Sequence, residues 1–275
     1  MKKRKASLRE GYVMDPNFMI GRNENPWTVI ILFGGVICGD LPNQLFRIAS
    51  NIIETAGLEL NVLAVHTEKR FSKYKKCTPQ LLRKLQRKDL IGFSAAHVPS
   101  GDTDAATLAS IMVSASRSQF LVSGHSDLLN PDPTTISPII RDVETVYPIR
   151  YGYQYVIDKY YGPGLHAVGM FLYHYVDKRK LPEFSSSETN RTANWFNRGN
   201  EKMPQGALRD VFPLNLLSQI HRSRLIDGIP LFDWIRQDPA RGHLENISQA
   251  LWAWHVPDDK CVELGDKFEA AGLLA

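Results

Sequence analysis

The sequence predicts an α+β fold, a mixed sheet flanked by helices, with an α/β arrangement as the alternative. Three observations carry this. Between residues 27 and 123, apolar β-branched runs alternate with runs of helical spacing. The middle of the chain holds a tyrosine-rich segment with rings at every second position. The last third is broken by Gly and Pro into short elements.

The elements follow in order. Trp27 to Ile37 reads as a buried strand. Leu41, Leu45, Ile48, Ala49, Ile52 and Ile53 share a helical face that Gly57 ends. Leu60 to His66 is a second strand. Thr78-Pro79 starts a helix, a capping hydroxyl before proline at the first helical position. Leu90 to Val98 and Gln119 to Ser123 read as strands, with a helix from Asp104 to Ser116 between them, capped by Thr103. Prolines at 131, 133 and 138 predict a stiff loop over 130–138 and a boundary there. The expected units are a basic segment 1–25 and two halves, 26–130 and 131–275, packed as one globular unit. Ile149 to Ile157 is a strand with Tyr151, Tyr153 and Tyr155 on one face. Residues 182–205 read as loop with a short helix around Trp195. A helix at Leu231 to Arg236, a strand at Leu251 to Val256 and a final helix complete the chain. Glu-Thr-Ala-Gly-Leu at 54–58 and Glu-Ala-Ala-Gly-Leu at 269–273 raise the idea of two related halves.

Composition narrows the function classes. The chain is 43% hydrophobic and 23% charged, with no apolar run long enough to span a bilayer. Lys2-Lys3-Arg4-Lys5 is not followed by the apolar segment of a secretion signal. Cys38, Cys77 and Cys261 are odd in number and unpaired in spacing, as in a reducing compartment. The expected location is the cytoplasm. The net charge of +4 is uneven: residues 1–100 carry 16 Lys/Arg against 8 Asp/Glu, and residues 101–275 carry 17 against 21. The excess gathers in residues 69–88, where Lys69, Arg70, Lys73, Lys75 and Lys76 form a candidate anion-binding patch with Phe71 and Tyr74 interleaved.

No reaction centre stands out. Gly34-Gly35 and Gly39-Asp40 follow a strand but lack the lysine and hydroxyl of a phosphate loop. His125-Ser126-Asp127 are adjacent, whereas triads assemble from distant positions. No histidine pair has metal-ligand spacing. Neither cofactor nor metal is expected. Eight of the ten tyrosines lie between Tyr147 and Tyr175, and tyrosine-rich surfaces suit recognition. Tyr151, Tyr153, Tyr160, Tyr161 and Trp195 are the candidate partner-binding residues.

Several short segments together carry a family resemblance. They are Tyr-Gly-Pro-Gly-Leu-His-Ala-Val-Gly-Met at 161–170, Val-Phe-Pro-Leu-Asn-Leu-Leu at 211–217 and Gly-Ile-Pro-Leu-Phe-Asp-Trp-Ile at 228–235. Arg-Gly-His-Leu at 241–244, Trp-Ala-Trp-His-Val-Pro at 252–257 and the closing Ala-Ala-Gly-Leu-Leu complete the set. The pattern resembles the immunity proteins that accompany restriction-nuclease-like effectors of type VI secretion. That resemblance implies a cytoplasmic α+β protein, not an enzyme, that binds and blocks a cognate toxin. It supplies no catalytic residues. The alternatives are an enzyme on a small molecule or nucleotide, sited at Gly34–Asp40 or His125/Asp127, and a nucleic-acid binder using residues 69–88. A membrane partner is not expected, nucleic acid is disfavoured as the partner, and a homo-oligomer stays open.

Overall fold

Trp27 to Phe33 are all buried in β1 (Pro26–Phe33), so this apolar run reads as a strand covered on both faces. The computed structural model describes residues 26–101, 103, 109–170, 186–202 and 205–275; the basic segment 1–25 lies outside them. Chain order continues with α1 (Leu41–Thr55), β2 (Val62–Thr67), β3 (Arg70–Phe71), β4 (Lys75–Lys76) and α2 (Pro79–Leu82). Next come β5 (Leu90–His97), β6 (Ile111–Ser116), β7 (Gln119–His125), α3 (Pro133–Val146), β8 (Tyr151–Asp158) and α4 (Pro163–Ala167). The last part holds α5 (Ser186–Lys202), β9 (Leu214–Ser218), α6 (Gln219–Arg222), the hairpin β10 (Leu225–Ile226) and β11 (Ile229–Pro230), and α7 (Leu231–Arg236). It closes with β12 (His243–Asn246), β13 (Leu251–His255) and α8 (Cys261–Ala270).

Eleven strands form one sheet in the order β12-β13-β9-β8-β1-β7-β6-β5-β2-β3, with β4 also on β2. All its strand pairings are antiparallel. The fold is α+β, as predicted. β1 pairs with β7 on one side and β8 on the other, so the sheet runs unbroken across position 130.

Alternation along the strands gives two cores. Ile30, Leu32, Phe93, Val113 and Val122 point to one face and meet Leu45, Ala49 and Ile53 of α1 and Ile136, Ile140 and Val143 of α3. Val29, Ile31, Phe33, Tyr151 and Tyr153 point to the other and meet Trp195 of α5, Trp234 of α7 and Phe268 of α8. Each fully buried aliphatic side chain contributes roughly 1.5–3 kcal/mol of transfer free energy. The second helical layer decides the fate of the tyrosines.

Four sequence expectations are corrected. Residues 111–116 are strand β6, not the end of a helix from Asp104; positions 104–108 lie outside the described residues. Ile111, Val113 and Ala115 are buried while Met112, Ser114 and Ser116 are half-buried, a period of two. The stretch 130–138 is not all loop: Asp132 accepts from the Thr134 N–H at 2.8 Å and caps α3, with Pro133 in its first turn. The helix bearing Trp195 runs 17 residues. Strands β9 and β12 had not been expected.

The repeated Ala-Gly-Leu has a local cause. In α1 the N–H of Leu58 donates to Ile53 O at 3.1 Å and that of Gly57 to Glu54 O at 2.9 Å. In α8 the Leu273 and Gly272 N–H groups do the same to Phe268 O and Glu269 O, both at 2.9 Å. Gly57 and Gly272 have φ of +75° and +68°. Both are helix stops of one kind, which glycine adopts without strain.

Candidate functional site

The tyrosine face comes first, because the sequence favoured it for partner binding. Pairing of β8 with β1 sets Tyr151, Tyr153 and Tyr155 opposite Phe33, Ile31 and Val29. Their exposures are 1%, 0% and 5%. Every hydroxyl is used inside. Tyr151 Oη accepts from the Arg209 backbone N–H at 2.9 Å. Tyr153 Oη donates to Ala167 O at 2.6 Å and accepts from Arg209 Nη1 at 3.1 Å. Tyr155 Oη donates to Pro163 O at 3.1 Å and lies 3.1 Å from His166 Nδ1. Burial raises all three phenol pKa values, so they are neutral. Tyr161 and Trp195 are buried as well, the indole edge-on to Phe33 at 5.5 Å and Tyr151 at 5.8 Å. The side chain of Tyr160 lies outside the described residues. Tyr151, Tyr153, Tyr161 and Trp195 are thus buried in the packing between the sheet and the helical layer of α4, α5, α7 and α8, each at most 5% exposed.

At the centre of this layer sits Arg209, fully buried. Nη1 also donates to Ala167 O at 3.2 Å, and the guanidinium lies 5.4, 5.6 and 6.0 Å from the rings of Tyr153, Phe212 and Tyr155. The aromatic faces and oxygen acceptors solvate a charge that cannot be neutralised by deprotonation. Beside it, Arg191 of α5 donates through Nε to Asp210 at 3.0 Å and through Nη1 to Asp266 of α8 at 2.8 Å. A Cβ on Gly265 would lie 2.8 Å from Asp210 Oδ1, so glycine leaves room for this junction. No motif in the sequence singled out Arg209 or Arg191. Single arginines carry no sequence signal of burial.

The enzyme candidates resolve into local structure. A Cβ on Gly34 would stand 2.6 Å from both Pro148 O and the Tyr147 ring, and Tyr147 Oη donates to Gly35 O at 3.1 Å. Gly34 thus permits a close approach between two segments. Asp40 accepts from the Gln44 side chain at 3.0 Å. It borders an open groove of about 470 Å³ between α1 and α3, lined also by Arg47, Asp142 and Thr145. That lining offers no nucleophile poised beside a base. His125 Nδ1 accepts from the Asp127 N–H at 3.3 Å and lies 3.4 Å from its carboxylate, whereas the Ser126 hydroxyl bonds Thr28 at 3.0 Å. The His-Ser-Asp run therefore closes a turn. Burial, together with Asp258 and Asp210, pushes the Cys261 thiol up to about 12, where it is inert. Among the described residues no group of three His, Cys, Asp or Glu is placed to hold a metal ion, and no helix is long and apolar enough to cross a membrane.

The basic stretch is different. β3 and β4 both pair with β2 and form one edge of the sheet. Lys69, Arg70, Lys73, Lys75 and Lys76 are all exposed there, as are Arg83, Lys84, Arg87 and Lys88. Of these nine cations only Arg87 has a salt bridge among the described residues, to Asp89 at 2.7 Å. Lys75 pairs with Leu63 and Lys76 with Val62, so the two ammonium groups leave opposite faces of the sheet. Leu82, at the end of α2, is 36% exposed and directly precedes Arg83 and Lys84. All five residues of the candidate anion-binding patch are exposed, in or beside the two short strands that pair with β2.

The fold has a counterpart among solved structures. The Pseudomonas aeruginosa type VI secretion system protein PA0821 is similar over 90% of this chain and 73% of its own, with a TM-score of 0.52 and 10% identity. At that identity the likeness is one of fold. No protein-family model matches the sequence, and no curated protein does.

Proposed function

We propose that the chain is an immunity protein that binds a cognate secreted toxin in the cytoplasm and neutralises it by occlusion. The observation that carries this reading is the fold held in common with a protein of the Pseudomonas type VI secretion system across nine-tenths of the chain. The sequence resemblance to immunity proteins supports it independently. So does the fate of the enzyme candidates, since Gly34–Asp40 and His125–Asp127 are engaged in turn and packing contacts. An inhibitor of this kind needs a stable scaffold and one exposed surface, and no chemistry of its own.

The test is co-expression of the chain with the product of each gene that flanks its own, to identify the toxin. The expected result is a stoichiometric complex on gel filtration and restored growth of cells carrying the toxin. Undiminished toxicity together with separate elution of the two proteins would refute the reading.

A further inference from the structure

We infer that the basic edge formed by β3, β4 and α2 is the surface that engages the toxin, and that the toxin face it meets is acidic. This deepens the proposed function and rests on it. Between residues 68 and 89 the chain carries nine Lys/Arg against two Asp/Glu. One salt bridge apart, those cations face solvent without ionic partners among the described residues. Such a density of like charge is unfavourable to hold together in the free protein and is relieved by a complementary surface.

Protection of a sheet edge explains only part of it. Lysines on an edge strand discourage unwanted pairing, which accounts for Lys75 and Lys76. Lys69, Lys73, Arg83 and Lys84 lie off that strand and add nothing to edge protection. The arrangement also favours a protein over nucleic acid. Lys75 and Lys76 project from opposite faces, so the charges wrap the edge instead of lining one track for a phosphate backbone. Tyr74, which could have stacked on a base, is half-buried with its hydroxyl on Met112 Sδ at 3.3 Å. Leu82 supplies an exposed apolar contact beside Arg83 and Lys84, matching the anatomy of a protein interface with charges around an apolar contact.

The experiment measures binding of the toxin identified by co-expression to the full chain, to Lys73→Glu/Lys75→Glu/Lys76→Glu and to Leu82→Ala, at low and at higher salt. Thermal melts confirm that each variant folds. The expected result is that charge reversal weakens affinity by at least about tenfold, chiefly through a slower association rate, and removes most of the salt dependence. Leu82→Ala weakens it mainly through faster dissociation. Wild-type affinity in the triple variant overturns the inference while leaving the proposed function standing. A wild-type chain that binds no toxin overturns both. A short random-sequence DNA duplex serves as the competing probe. If the wild type binds the duplex more tightly than the toxin at the same salt, and the triple variant loses only duplex binding, the edge belongs to nucleic acid and the inference falls.

Discussion

Two regions of this molecule carry the side chains that recognition surfaces favour, and they use them in opposite ways. In the layer beneath β8, aromatic rings and an arginine cluster densely, yet each tyrosine hydroxyl of Tyr151, Tyr153 and Tyr155 is bonded within the chain. At the β3–β4 edge, lysines and arginines gather in the sequence, and among the described residues almost none has an ionic partner. Residue type is the same guide in both places and misleads in one. What separates them is whether the polar handle is satisfied inside. A satisfied, buried handle contributes to stability; an unsatisfied, exposed one is free for a partner.

Replacement of Arg209 should break the interior region most severely. Arg209→Leu removes the Nη1 donor shared by Tyr153 Oη and Ala167 O, leaves only the Tyr153–Ala167 bond between them, and takes the guanidinium out from among the Tyr153, Phe212 and Tyr155 rings. It is expected to cost about 4 kcal/mol, read as a lower urea midpoint. The double variant Arg209→Leu/Tyr153→Phe removes both partners and should recover about 1 kcal/mol relative to simple addition. Strict additivity would mean that the two groups are not coupled. Next in size is Gly34→Ala. Its new methyl meets the Pro148 carbonyl and the buried Tyr147 ring, neither of which is a flexible chain end. The expected loss is about 3 kcal/mol, with a Tm fall in scanning calorimetry as the check. An unchanged Tm would show that the 33–35 turn can move away from Tyr147.

How much of this was legible in the sequence follows from the same contrast. The period-two rings of 151–155, the apolar face of 41–53 and the Thr78-Pro79 start are local signals, and they appear where expected. Strand β6 was missed because the turn joining it to β7 has Arg117 at φ +55°, where glycine or asparagine usually announces a hairpin. The start of α3 was missed because Pro133 reads equally as loop or as a first helical position, and Asp132 decides between them. The sequence left open whether Tyr153 is packed inside or faces a partner. Alternation shows that a strand has two faces but not that a second layer of helices, formed by elements later in the chain from α4 to α8, will cover the tyrosine face. The basic edge was legible because charge density needs no tertiary context to be exposed.

A third test separates the regions by pH. His221 is buried at the start of α6, where Nδ1 accepts from the Ser218 N–H at 3.0 Å. Burial lowers its pKa from 6.5 to about 4. Because the folded value lies below the unfolded one, the unfolded chain binds the extra proton between those limits. This contribution is fully present above about pH 6.5 and is lost as pH falls toward 4, by on the order of 3 kcal/mol. Burial also lowers His66 and His255, which act in the same direction. His221→Gln keeps an acceptor for Ser218 and removes the titration, so its stability should change less between pH 6.5 and 4 than that of the wild type. A parallel decline in both proteins would assign the acid sensitivity to the other histidines.

The smallest stability effect is expected from the largest charge change. Lys75→Glu/Lys76→Glu alters a strand whose side chains are exposed and make no salt bridge among the described residues, so folding should shift by no more than about 0.5 kcal/mol. The sign is set by the surroundings. Residues 68–89 carry nine Lys/Arg against two Asp/Glu, so exchanging two of these cations for carboxylates lowers the net repulsion of the stretch. Stability should therefore rise slightly at low salt, and the gain should fade as salt screens it. Denaturation at two ionic strengths measures this. A loss of more than about 1 kcal/mol would place these lysines among the groups that hold the fold together and erase the contrast with Arg209. Unaltered or improved stability alongside weakened toxin binding is the combination expected of an edge shaped by its partner rather than by its own fold.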